Sequence, residues 1–142
     1  MIPEFDLKGF LPPGIWDCTI LEVESKLLGS IFRINMYPRL DKLIKDLKRI
    51  KVTTIYIGGS FATLTVQPKD FDVLWEENSG TRYQFEFEEL PDIFYPKKSL
   101  EIYGIHILPA RATEYYSKLS MLDYFQQVKY STEKRGILKI GI

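Results

Sequence analysis

The sequence predicts an α/β (α+β) protein with a small mixed β-sheet flanked by helices. Two observations lead to this fold class. Apolar residues recur every three or four positions over about residues 31–50, which indicates an amphipathic helix. Several runs of β-branched and aromatic residues end at glycine or proline, which indicates strands. The chain has 142 residues and no linker composition divides it, so we expect a single domain over residues 1–142.

The composition narrows the class of protein. The chain has 19 basic and 19 acidic side chains and a sequence pI near 6.6, so general nucleic-acid binding is not expected. Cys18 is the only cysteine, which excludes an internal disulfide and indicates a reducing, cytoplasmic compartment. Neither a membrane span nor a signal peptide is expected, because long apolar runs are absent and "MIPEFDLKGF" has no basic start.

Residues 1–18 are predicted to form an extended N-terminal arm. The stretch "IPEFDLKGFLPPGIWDCT" mixes prolines and glycines, which favour turns, with aromatic side chains. Phe5, Phe10 and Trp16 are well spaced to pin such an arm to a core. We therefore interpret the stretch as a packed arm.

Two helices are predicted after the arm. The first is short, follows an N-cap at Asp17 or Thr19, and ends near Gly29. The second covers about residues 31–50, where basic side chains lie between the periodic apolar ones. Pro38 lies inside this pattern and either kinks the helix or marks the first turn of its longer part.

Two buried strands are predicted in the middle of the chain. "VTTIYIGG", residues 52–59, is β-branched and aromatic and is stopped by glycine. "DFDVLWE", residues 70–76, has the same character. Residues 77–99 are ambiguous, because "TRYQFEFEEL" alternates like a strand while Pro91 and Pro96 bracket a loop.

The C-terminal part is predicted to alternate helices and strands. "PKKSLEIYG", residues 96–104, indicates a short helix, and "IHILPA", residues 105–110, indicates a strand that a proline ends. Apolar side chains at helical spacing predict a helix over residues 113–128 with Thr113 as its N-cap. "GILKIGI", residues 136–142, is a short closing strand.

The most informative motif joins the two central strands. Gly58 and Gly59 permit positive φ and close approach of the backbone, so the amides leading into the turn can face an anion, and Ser60 adds a hydroxyl. Asp70 and Asp72 are two residues apart on a predicted strand, which places both carboxylates on one face. Carboxylate pairs of this kind suit Mg²⁺ with a bound triphosphate. An ordinary strand-turn-strand is the alternative for each half, whereas the joint pattern favours a site.

These residues resemble the signature of the nucleotidyltransferase superfamily related to DNA polymerase β. That signature is a hydrophobic residue, Gly and Gly or Ser, followed by Asp, a hydrophobic residue, Asp or Glu, and a hydrophobic residue. Here Ile57, Gly59 and Ser60 are followed, after nine residues, by the run 70–73, "DFDV". The rest of the chain is similar to a family of small bacterial proteins of that superfamily, in "IPEFDLKGFLPPG", "GSFAT", "YGIHILPA", "DYFQQ" and "RGILKIGI".

The resemblance implies a minimal nucleotidyltransferase-like domain. It implies Gly59 and Ser60 at the triphosphate of a nucleoside triphosphate, and Asp70 and Asp72 on Mg²⁺ or Mn²⁺. A hydroxyl acceptor would attack the α-phosphate, take the nucleoside monophosphate and release pyrophosphate.

A third carboxylate is the point at which this sequence departs from the family pattern. Active members generally supply one from a neighbouring strand, and in "IHILPA" the equivalent position carries His106. His106 is either a structural residue or a functional one that acts as a base or as a weak partner for the metal. Glu86, Glu88 and Glu101 are the other candidates for the missing acid. The alternative function is therefore a catalytically weak nucleotidyltransferase-like binding module, such as an antitoxin-type partner of a helical HEPN-like protein.

Cations that could surround a nucleotide are scattered along the chain. Lys69 directly precedes the aspartates, and Arg82, Lys97, Lys98 and Arg111 follow them. Each is either a phosphate contact or an ordinary solvated surface charge.

Overall fold

The computed structural model describes residues 1–81 and 94–142, and in these residues five strands form one mixed sheet. The strands are β1 (Ile15–Cys18), β2 (Thr54–Gly58), β3 (Asp72–Trp75), β4 (His106–Pro109) and β5 (Ile137–Gly141). The helices among the described residues are α1 (Ile20–Leu27), α2 (Ile31–Arg49), α3 (Pro96–Tyr103) and α4 (Met121–Tyr124), and a 3-10 helix covers Ser60–Ala62. The predicted α/β (α+β) class is confirmed.

The strand order in the sheet is β1-β5-β2-β3-β4. The pairs β1 with β5 and β3 with β4 are parallel, whereas β2 runs antiparallel to both β5 and β3. In this register Gly58 lies opposite Asp72, and Asp72 lies opposite His106. Three of the predicted site residues are therefore neighbours across three strands.

The two N-terminal helices begin at side-chain caps. Thr19, rather than Asp17, caps α1 and forms a capping box with Glu22. Ser30 caps α2 by accepting a hydrogen bond from the Arg33 amide. The helix then continues through Pro38, so the alternative of a helix that starts at this proline is wrong.

The main core lies between the helices and one face of the sheet. It contains Leu40, Leu43 and Leu47 of α2 and strand residues such as Ile57 and Val73, all fully buried. A smaller cluster covers the opposite face and consists of Tyr56, Leu74, Ala110, Leu122 and Ile137. Successive strand residues thus point alternately into the two clusters, as the side chains of a sheet buried on both faces must do.

The N-terminal arm is packed, as predicted, but its last residues belong to the sheet. Ile2 and Leu11 are 1% exposed, and Lys26 holds the arm by donating to the Ile2 carbonyl at 2.9 Å. The last part of the predicted arm, Ile15–Cys18, is the edge strand β1 and pairs with β5. The strand was missed because its side chains are only partly buried and give no apolar run.

The predicted helix over residues 113–128 is wrong, since only Met121–Tyr124 is helical there. Local hydrogen bonds compete with a helix before that point. The Glu114 carboxylate accepts from the Tyr116 and Ser117 amides, and Ser120 caps the short helix in place of Thr113. Thr113 instead forms an isolated β-bridge with Ser120.

Residues 82–93 lie outside the described residues, and with them most of the ambiguous alternating stretch, including Arg82, Glu86 and Glu88. Within the described ranges, none of the helices combines the length and the apolar character that crossing a membrane requires.

Candidate functional site

The site lies where the ends of three strands meet. Gly58 closes β2, while Asp72 and His106 open β3 and β4, and the register places these residues side by side. Residues directly opposite each other share a sheet face. Asp72 and His106 therefore face the side covered by the smaller apolar cluster, together with Leu74 and Leu108.

Gly59 makes room for one of the two carboxylates. Its φ is +70°, a left-handed conformation that glycine adopts without strain. A Cβ atom at this position would lie 2.6 Å from Asp72 Oδ2 and 3.0 Å from the Asp70 carbonyl oxygen. The second glycine of the motif is therefore required by the close approach of the acidic pair. Gly58 has more room, since a Cβ there would meet Ile137 Cδ1 at 3.4 Å.

Ser60 fixes the position of Asp70. The Ser60 amide donates to Asp70 Oδ1 at 2.9 Å. The Ser60 hydroxyl donates to the Asp70 carbonyl at 3.2 Å and accepts from the Lys69 and Asp70 amides at 2.8 and 3.1 Å. The Gly58–Gly59–Ser60 turn thus binds the aspartate segment, and its contact with a triphosphate stays a prediction.

The two aspartates differ in their electrostatics. Burial and, after it, the charge of Asp70 raise the pKa of Asp72 to about 6, against the opposing charges of His106, Arg135 and Lys129. The pKa of Asp70 lies below its ordinary value, because hydrogen bonds from Ser60 and the same two cations outweigh the effect of burial. Asp70 therefore stays ionised to lower pH, whereas Asp72 takes up a proton as the pH falls through about 6.

His106 lies beside Asp72 at the opening of the site. Its Nδ1 is 3.7 Å from Asp72 Oδ1, beyond hydrogen-bond distance, and 44% of its side chain is exposed. The imidazole is therefore accessible from solvent while one ring nitrogen faces the buried carboxylate.

The three side chains open into a cleft of about 920 Å³. Its walls are formed by β3, β4 and the segment 114–135 that crosses this sheet face. The remaining lining residues are polar or charged at Glu114, Gln127, Lys129, Ser131, Thr132 and Arg135, and apolar or aromatic at Leu108, Met121, Tyr124, Phe125, Val128 and Tyr130.

The cations of this cleft differ from those considered from sequence. Lys129 and Arg135 line it and lower the pKa of both aspartates. Arg111 instead pairs with Glu76 at 2.6 Å, and the exposed Lys97 and Lys98 are on α3 and do not line the cleft. A cation-rich stretch directly before the last strand, "KYSTEKR" at 129–135, was the signal available in the sequence.

The candidate acids other than the aspartates have different positions. Glu101 is exposed on α3 and does not line the cleft, whereas Glu114, which the sequence did not single out, does. The Glu114 carboxylate accepts hydrogen bonds from the Tyr116 and Ser117 amides, so its pKa is lowered. Of the 130 residues in ranges 1–81 and 94–142, no three His, Cys, Asp or Glu side chains are arranged to hold a metal ion.

The donor set of the cleft nevertheless fits a hard divalent cation. Mg²⁺ is commonly held by one or two carboxylates together with phosphate oxygens and water. Asp70 and Asp72 are close enough for the charge of one to raise the pKa of the other. A bound cation would remove this repulsion, so the pair suits Mg²⁺ or Mn²⁺.

The fold and the site define a class: a small α/β protein with paired carboxylates and cations in one cleft at the end of a mixed sheet. The family model described as "Family of unknown function (DUF6932)" matches residues 3–141, and the chain belongs to this family. Searches among curated proteins and among solved structures found no match.

Proposed function

We propose that this protein is a cytoplasmic, Mg²⁺-dependent nucleotidyltransferase that transfers a nucleoside monophosphate from a nucleoside triphosphate to a hydroxyl acceptor. The observation that carries the proposal is the meeting of Asp70 and Asp72 with Lys129 and Arg135 in one cleft. The cleft volume of about 920 Å³ is in the range of small-molecule sites. Resemblance of the Gly-Ser and Asp-Phe-Asp motifs to the superfamily signature supports the same function.

The aspartates are the residues that would hold Mg²⁺ or Mn²⁺. Such a cation, when bound, neutralises phosphate charge and polarises the phosphoryl group. Asp70 enters the reaction ionised, since its pKa is lowered, and Asp72 loses its proton readily above pH 6. Lys129 and Arg135 line the same cleft, and their positive charge attracts the triphosphate.

His106 is the residue we assign to proton transfer. Its Nδ1 faces Asp72 Oδ1, so Nε2 is the nitrogen that would accept the proton of the attacking hydroxyl. The exposed imidazole lies within reach of an acceptor that enters the cleft from solvent. This role replaces the third carboxylate of the family pattern.

The test compares two charge-matched double variants. Asp70→Asn with Asp72→Asn removes the site, whereas Asp17→Asn with Asp41→Asn removes two carboxylates that are 81% and 48% exposed. Calorimetry with each common nucleoside triphosphate and Mg²⁺ should give binding by the wild type and the control only. Transfer of α-³²P label to total protein, RNA or small hydroxyl acceptors should follow the same pattern. Absence of both binding and transfer in the wild type contradicts the proposal.

The alternative is a nucleotidyltransferase-like binding module of the antitoxin type that pairs with a helical HEPN-like protein. One observation favours it: the position next to Asp72 carries His106 rather than a carboxylate. This function predicts nucleotide binding without label transfer, and a stable complex with a helical protein encoded by a neighbouring gene. Robust transfer by the isolated chain contradicts it.

A further inference from the structure

A buried arginine on α2 holds the loop that leads to the acidic pair. Arg33 is 4% exposed. Its Nε donates to the Thr65 carbonyl at 2.9 Å, and Nη1 donates to the carbonyls of Phe61 at 2.7 Å and Leu27 at 3.3 Å. Its Nη2 donates to the carbonyls of Thr63 and Ser60. These five bonds use the whole donor capacity of a guanidinium group.

The acceptors of these bonds are concentrated in one segment. Four of the five belong to Ser60–Thr65, the first half of the loop between Gly59 and Asp70. Burying a cation costs free energy unless hydrogen bonds replace its hydration. The guanidinium and the loop carbonyls therefore depend on each other for their hydrogen bonds.

Two paths of direct contact lead from Arg33 to the aspartates. Along the first, Ser60 offers its carbonyl to Arg33 while its amide donates to Asp70 Oδ1 at 2.9 Å. Along the second, the guanidinium carbon lies 5.2 Å from the ring centroid of Phe61, which stacks on Phe71 at 4.1 Å. Phe71 stands between Asp70 and Asp72 in the chain. Asp70 is thus hydrogen-bonded to a residue that Arg33 contacts, and Phe71, the chain neighbour of both aspartates, packs on another.

We propose that Arg33 is a positioning residue for the site: it fixes the loop 60–69 so that the carboxylates of Asp70 and Asp72 face the cleft together. The consequence for cation binding rests on the proposed function, whereas the consequence for the loop does not. Arg33 itself does not line the cleft, and all its donors are directed to backbone carbonyls of the loop and of Leu27.

The experiment uses the conservative change Arg33→Lys. Lysine keeps the charge but offers three donors from one point, so it cannot serve carbonyls arranged around a planar fork. Arg49→Lys is the matched control, since Arg49 lies on the same helix with 81% of its side chain exposed. The two readouts are amide hydrogen exchange by NMR, and binding of Mn²⁺ alone by electron paramagnetic resonance.

The expected result is local. In Arg33→Lys, the amides of Ser60, Lys69 and Asp70 exchange roughly tenfold faster or more, whereas those of β5 keep their protection. Mn²⁺ affinity falls about tenfold, as is typical when a residue that orients metal ligands is lost. Arg49→Lys leaves both readouts at the wild-type level.

In a folded Arg33→Lys protein, unchanged loop exchange overturns the positioning role, and so does unchanged Mn²⁺ affinity where the wild type binds the ion. Where Arg33→Lys does not unfold cooperatively, Arg33→Gln decides instead, because its amide offers two planar N–H donors to the loop carbonyls and carries no charge to bury. Faster exchange at Ser60 and Asp70 in that variant supports the role, and wild-type exchange overturns it. Failure of the wild type to bind Mn²⁺ counts against the proposed function alone, since loop exchange still decides the role of Arg33.

Discussion

At the scale of single residues, the pKa values of Asp70 and Asp72 are shifted in opposite directions because the two carboxylates have different surroundings. Asp70 Oδ1 accepts the Ser60 amide, which stabilises its charge. Asp72 is 5% exposed and has an anionic neighbour in Asp70, so burial and repulsion raise its pKa to about 6. Ionising Asp72 therefore costs folding free energy until a cation binds.

Replacing Asp72 with Asn is expected to stabilise the metal-free protein at neutral pH. The pKa of Asp72 is about 6 in the folded chain against an ordinary value of 3.8, so the folded state holds more protons between these values. Stability of the wild type consequently falls as the pH rises through this range. The gain of Asp72→Asn at pH 7.5 is at most about 3 kcal/mol and disappears near pH 4. Urea unfolding in EDTA at both pH values measures it.

The same change at Asp70 is the control for this prediction. Since the pKa of Asp70 is lowered, the folded state favours its charged form, and Asp70→Asn is expected to give no such gain. Adding Mg²⁺ should reduce the advantage of Asp72→Asn, because only the wild type keeps both carboxylates. Equal unfolding free energies of wild type and Asp72→Asn from pH 4 to 7.5 contradict the electrostatic account.

At the scale of elements, the turn after β2 contains two consecutive glycines, Gly58 and Gly59, and the close approach to Asp72 requires glycine only at position 59. Gly59→Ala is expected to lower the free energy of unfolding by about 2 kcal/mol or more, since it combines positive φ with a clash against Asp72. Gly29→Ala is the matched control, because nothing lies within 4 Å of a Cβ atom there. Urea unfolding should show a change of roughly 0.5 kcal/mol or less for the control. Equal effects at Gly29 and Gly59 would show that the close approach is not limiting.

The elements that could be predicted from sequence are those in which burial sets the spacing of the apolar residues. The strand β3 is buried along its whole length and β2 along all but its first residue, and α2 turns Leu40, Leu43 and Leu47 toward one core. The spacing of the apolar residues in the sequence is therefore enough to predict these elements. The edge strand β1 has no such pattern, and the helical spacing over 113–128 was overridden by side-chain hydrogen bonds such as those of Glu114.

The acidic half of the cleft could be predicted and the basic half could not, for a reason of chain topology. Asp70 and Asp72 follow the glycine turn closely, so local spacing brings them together. Lys129 and Arg135 lie more than fifty residues further along. They reach the cleft only because β5 inserts between β1 and β2, which a single sequence does not reveal.

At the scale of the whole molecule, the sheet separates two layers that differ in their contribution to the core and to the cleft. The layer of α1, α2 and α3 forms the main core, whereas the segment 110–136 covers the other face and forms much of the cleft wall. Leu122 is the buried anchor of that segment, at 3% exposure, and its amide donates to the Ala110 carbonyl at 3.0 Å. Changes in the two layers should therefore have separable effects.

A matched pair of leucines tests this separation. Leu122→Ala and Leu47→Ala each remove a buried side chain, one from each layer, and each is expected to lower the free energy of unfolding by about 2–5 kcal/mol. Only Leu122→Ala should also loosen the cleft, because the neighbouring Met121 and Phe125 line it. Hydrogen exchange below the unfolding midpoint should accelerate across 110–136 in Leu122→Ala alone, and nucleotide affinity should fall with it. Since Leu47 belongs to the main core on the other face of the sheet, equal acceleration of 110–136 in both variants would mean that the two layers open as one unit.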